Sequence, residues 1–205
     1  MNDDILNTLN TGDVLLFNSS DHWYDWLVKK CTFSHYSHSA MVLRDPLFAG
    51  EYLFGLYIIQ SDSAEKEDVE DHTHKFGVQI VPIKDIFDSG YDDVYVRRLT
   101  TKRDGDFFEK LREAHKDVHN IPYDLNLFHW WTAGMYHLGR STQMVKKHVD
   151  SFWCSALVVY LYSRLGLVDE SVDWSNMAPS DIASSNFTLT DGNTLEPVEL
   201  LFKFK

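Results

Sequence analysis

Between residues 13 and 99 the chain carries five short apolar runs, each closed by a turn signal, and this spacing constrains the fold most. The runs are Asp13 to Phe17, Ser39 to Arg44, Tyr52 to Gln60 (bent at Gly55), Gly77 to Ile83 and Asp93 to Leu99. Runs this short, closed by turn signals, predict a mostly antiparallel sheet. The acidic stretch from Ser61 to Lys75 reads as a loop, and Asp85 to Phe87 as a short helical turn.

Helical patterns flank these runs. Asp21 to Lys30 places Trp23, Trp26 and Leu27 at helical spacing, and Asp104 to His119 does the same with Phe107, Phe108, Leu111 and Ala114. The strongest pattern, Ser151 to Leu165, stops at Gly166. A further short helix is expected behind Ala178-Pro179, and Leu195 to Phe204 reads as a late strand. Tyr123 to Trp131 is aromatic and irregular, and Asp169 to Trp174 reads as a solvated connection. With 205 residues and no internal repeat or linker, the expected plan is one α+β domain over residues 1–205, helices flanking a mostly antiparallel sheet or small barrel.

Charge narrows the partners. A formal net charge of -12 disfavours nucleic acid and anionic lipid surfaces, which need clustered Lys and Arg. Only a small basic patch stands out, at Lys146, Lys147 and His148. The Met-Asn-Asp-Asp start lacks the basic and apolar regions of a secretory signal, and no stretch reaches the roughly 18 apolar residues of a membrane span. The expectation is a soluble protein, cytoplasmic or virion-associated. Two cysteines, Cys31 and Cys154, fit a reducing compartment; a disulfide between them would occupy the candidate nucleophile.

Cys154 falls in the first turn of the Ser151 to Leu165 pattern, where unpaired N–H groups and the helix dipole favour a thiolate. A buried structural cysteine would look the same in isolation. His38 stands where a loop enters a strand, flanked by Tyr36, Ser37 and Ser39, and a near-neutral imidazole there can move the thiol proton. His35 is its rival. Gln60, Ser61 and Asp62 end the next strand and are candidates to orient the ring. Asp71-His-Thr-His74 has metal-binding residue types but no second ligand pair in sequence, so no metal and no cofactor is expected.

Taken in order, these segments resemble the permuted NlpC-like branch of the papain-fold superfamily, the YiiX-like cysteine peptidases and amidases, with relatives in poxviruses and other large DNA viruses. Thr11-Gly-Asp-Val-Leu-Leu-Phe17 resembles that family's Gly-Asp strand, and Tyr36-Ser-His-Ser-Ala-Met-Val-Leu43 its histidine strand. Pro122-Tyr-Asp124 followed by Phe128, Phe152-Trp-Cys-Ser-Ala-Leu-Val158 and Ala178-Pro-Ser-Asp-Ile182 resemble its later elements. The likeness spans about residues 11–185. It implies a circularly permuted papain-like fold with Cys154 as nucleophile, His38 as base and Gln60 as third residue. His35 lies outside the motif. Asp13, Tyr36, Ser61, Tyr123 and Asp124 become supporting or substrate-binding candidates. Ala156 stands where relatives often carry Glu, and neutral Gln60 where they often carry a carboxylate.

The implied activity is hydrolysis of an amide or ester through an acyl-enzyme. Two alternatives stay open: acyl transfer or thioester cleavage on lipid, with Phe128, Trp130, Trp131 and Trp153 either lining an acyl groove or filling the core; and a weak or inactive partner-binding protein. The expected substrate is a peptide, amide or lipid ester. Neither its identity nor the oligomeric state follows from the residues.

Overall fold

The computed structural model describes residues 3–19, 34–88, 90–123 and 152–204. The helix expected over Asp21 to Lys30, the aromatic segment beyond Tyr123, the basic patch, Cys31 and Asp124 lie outside the described residues.

Six strands form one antiparallel sheet: β1 (Val14–Asn18), β2 (His38–Arg44), β3 (Leu56–Glu67), β4 (His74–Pro82), β5 (Asp93–Arg97) and β8 (Glu199–Lys203). Their order is β4-β3-β2-β1-β5-β8, so the first four form a meander and β5 returns to the free side of β1. Among the described residues the sheet is therefore open, with β4 and β8 as its edges, rather than a closed barrel. A small ribbon, β6 (Leu99–Thr100) with β7 (Thr194–Leu195), follows β5. The helices are α1 (Asp3–Leu6), α2 (Gly105–Val118), α3 (Cys154–Arg164) and α4 (Pro179–Ala183).

Alternation along the central strands separates two cores. Val14, Leu16, Met41, Leu43 and Ile59 face α2 and α3; Leu15, Phe17, Ala40, Val42 and Ile58 face the side holding Leu6, Leu9 and Ile86. Helix α2 opens on Asp104, whose side chain accepts from the Phe107 N–H, and buries Phe107, Leu111, Ala114, His115 and Val118 along one stripe. Helix α3 is buried at every position from Cys154 to Tyr162, which marks a helix enclosed by its neighbours rather than lying on the surface. Among the described residues no helix is long and apolar enough to cross a membrane.

Two expectations need correction. The acidic stretch after Gln60 is not a loop: β3 runs on to Glu67 and pairs with β4 from His74, with a register shift between Asp62 and Lys66. Several of these residues are solvent-facing, so backbone pairing holds the ribbon without an apolar pattern to reveal it. The Asp169 to Trp174 segment is not fully solvated either. Trp174 is buried, packed against Phe152 and Tyr160, and begins a 3-10 turn, Trp174–Asn176.

Candidate active site

Cys154 is the first residue of α3. Trp153, at the N-cap, makes no side-chain cap, so among the described residues the first backbone N–H groups of the helix have no intrahelical or capping partner. The helix start is fixed from outside instead. Trp153 Nε1 and Ser155 Oγ both donate to the Met177 carbonyl, at 3.1 and 2.5 Å, and Ser61 Oγ donates to the Phe152 carbonyl at 2.7 Å. Phe152 also forms a parallel bridge with Tyr123.

His38 opens β2 opposite Phe17. Its ring packs beside Phe17, at a centroid distance of 5.3 Å, and near-parallel to Tyr91, at 6.3 Å with 6° between planes; Phe17 and Tyr91 also touch, at 4.5 Å. Gln60, on the neighbouring strand, meets the ring: His38 Nε2 to Gln60 Oε1 is 2.9 Å. The amide orientation follows from its other end, where Gln60 Nε2 donates to Asp62 Oδ2 at 3.3 Å. The amide oxygen therefore faces the imidazole, and Nε2 of His38 must be the protonated nitrogen. Nδ1 is then the nitrogen left to exchange a proton with the sulfur.

The two titrating groups perturb one another. Burial pushes the Cys154 thiol up, but the charge of His38, its hydrogen bond, and the Ser39 backbone N–H and hydroxyl outweigh this and leave it below the ordinary thiol range. Burial alone would lower His38; the Cys154 thiolate, then Asp62 and Gln60, raise it instead. The pair thus favours thiolate and imidazolium together. Cys154 is a free thiol, and both side chains are buried.

The other candidates fall elsewhere. Ser61 points to the opposite face of β3 from Gln60 and tethers the chain ahead of Cys154. Asp62 reaches Gln60 rather than the imidazole. His35 is exposed and packs on Tyr36 and Tyr95, while Tyr36 packs on Tyr95 beside it. Asp13 lies at the far end of the β1–β2 ladder, beside Val42. It accepts from the Leu99 and Asn10 N–H groups, each at 2.9 Å, and pairs with Arg103 at 3.3 Å, so it holds a turn rather than a substrate. Of the four aromatics offered for an acyl groove, only Trp153 is described, and it is tied to Met177. Tyr91, which walls the base, carried no spacing signal; it sits in a turn before β5.

A buried thiol at an open helix N-terminus, beside an oriented imidazole on an antiparallel sheet, defines an α+β fold with a Cys-His-Gln constellation. No family model and no curated protein matches the sequence. Among solved structures the chain is similar to YiiX, a metalloprotein from Escherichia coli O157:H7, with 18% identity, a TM-score of 0.50, and coverage of 95% of this chain and 97% of that one. At that identity the likeness is one of fold: this is a YiiX-like architecture.

Proposed function

We propose that the protein is a cysteine hydrolase of the peptidase or amidase type, built on a circularly permuted papain-like frame. The observation that carries the reading is the His38 Nε2 to Gln60 Oε1 bond, which leaves Nδ1 for a thiol that is held below its ordinary range. In this reading the Cys154 thiolate attacks a carbonyl carbon of a peptide, amide or ester. The developing oxyanion is stabilised by free N–H groups of the α3 N-terminus. The His38 imidazolium gives its Nδ1 proton to the leaving nitrogen or oxygen, and an acyl-enzyme thioester remains. Water, deprotonated by Nδ1, then attacks the thioester, and the thiolate leaves.

Alkylation of Cys154 by iodoacetamide across pH tests the proposal. The wild type is expected to react at a rate that stays high below about pH 8.5, the ordinary thiol value, and His38→Ala to recover the profile of a free thiol. A wild-type profile centred on the ordinary value would defeat the proposal.

A further inference from the structure

Far from Cys154 in sequence, the connection between β3 and β4 meets the C-terminal turn of α2. His115 and His119, four residues apart, stand one turn above each other on that helix end, and Glu70 reaches them from the connection. Glu70 Oε2 lies 3.0 Å from His115 Nε2 and 3.1 Å from His119 Nδ1, and the three groups' ligand atoms lie within 4.8 Å of one another. The His115 side chain is only 5% exposed.

The carboxylate oxygen is buried, yet it accepts no hydrogen bond from either ring. At such distances the ring N–H directions must miss it. Two imidazoles and a carboxylate at this spacing can share one cation about 2 Å from each, the bond length of Zn²⁺ to these ligands. The surroundings also suit a cation. Asp68 and Asp71 stand with Glu70 around Lys75, whose ammonium is 2.9 Å from Asp68 and 3.0 Å from Asp71. Asp71 Oδ2 is 4.0 Å from His119 Nε2. Three carboxylates against one ammonium leave an excess of two negative charges beside the two rings.

We propose that Glu70, His115 and His119 bind a divalent first-row transition cation of the zinc class. Two imidazoles and one carboxylate favour such an ion over Mg²⁺ or Ca²⁺, which take oxygen ligands. Three protein ligands leave a fourth position for water. The partial exposure of Glu70 and His119 gives the ion a route in. The bound ion clamps the β3–β4 connection to α2, directly ahead of residues 121–123. Those residues run along β4, where Val78 N–H donates to the Ile121 carbonyl, and reach the Tyr123–Phe152 bridge.

The test titrates the metal-stripped full chain with Zn²⁺ against a chromophoric chelator, and with Co²⁺ followed by visible absorption. One equivalent is expected, with Co²⁺ d–d bands of a low-coordinate site. Glu70→Gln and His119→Ala, both at partly exposed positions, should lose the bands and weaken Zn²⁺ binding by more than roughly tenfold while keeping the wild-type circular dichroism. His72→Ala with His74→Ala, and Cys154→Ser, should bind as the wild type does. No binding, binding unaffected by Glu70→Gln and His119→Ala, or a sulfur-to-cobalt charge-transfer band abolished by Cys154→Ser would overturn the proposal. The outcome at Cys154 is read separately from the alkylation experiment.

Discussion

The amide of Gln60 holds two partners at once, His38 through its oxygen and Asp62 through its nitrogen. It sets which ring nitrogen is basic without bringing a charge onto the ring. Gln60→Ala is expected to lower kcat/KM on any cleaved amide by roughly 10- to 100-fold, the scale of losing an orienting partner. In the wild type, kcat/KM should be bell-shaped. The acid limb marks protonation of the thiolate and lies below the ordinary thiol range. The basic limb marks loss of the imidazolium proton and lies above the ordinary histidine value, at about 9. Gln60→Glu adds a carboxylate, which favours imidazolium, so the basic limb should move to higher pH. Asp62→Asn removes a charge that raises His38, so that limb should move down. A pH–rate profile of the three variants checks all three directions. Cys154, His38 and Gln60 could be singled out in the sequence through the ordered segments that resemble the family, and the fold brings His38 and Gln60 to 2.9 Å. The work of Asp13 was not legible there, since its Leu99 partner lies 86 residues away and only the folded chain brings them together.

Among elements, β4 shows how a single glycine can place a distant segment. Gly77 has a φ of +107°, and a Cβ there would come within 2.6 Å of the Tyr123 nitrogen and still closer to the Ile121 carbonyl oxygen. Backbone cannot yield as a flexible side chain would, so Gly77→Ala is expected to cost about 2 kcal/mol or more and to displace residues 121–123. Ser61→Ala removes the hydroxyl that donates from β3 to the Phe152 carbonyl, a buried acceptor. A loss of about 1–3 kcal/mol is expected, with slower alkylation of Cys154. Denaturant melts together with iodoacetamide kinetics separate the two effects. Strands β1 and β2 and helix α2 could be read from period and caps. The outer β3–β4 ribbon could not, because it is held by ladder hydrogen bonds between exposed polar residues.

At the scale of the whole molecule, the C-terminal segment is fastened to the sheet through Arg97. Its guanidinium is buried and donates to four backbone carbonyls, those of Ile182, Ser184, Leu195 and Glu196. No carboxylate offsets the charge in this set, so the carbonyl dipoles do so. Arg97→Met leaves these acceptors without their donor and is expected to destabilise the fold by roughly 3–5 kcal/mol, the scale of breaking a buried charged cluster. Its thermal melt should fall by several degrees, and amide exchange should rise across residues 182–203 before it rises in β1 and β2.

The order of the three site residues has a consequence for the newborn chain. His38 and Gln60 sit on strands of one meander, β2 and β3, and can pair before the chain reaches Cys154. Cys154 is added about ninety residues after Gln60. During synthesis, therefore, the imidazole and its amide partner can meet before Cys154 exists. In the proposed mechanism the thiol gains its partner only as α3 docks on β2 and β3, so an intermediate that lacks α3 carries no armed nucleophile at this site.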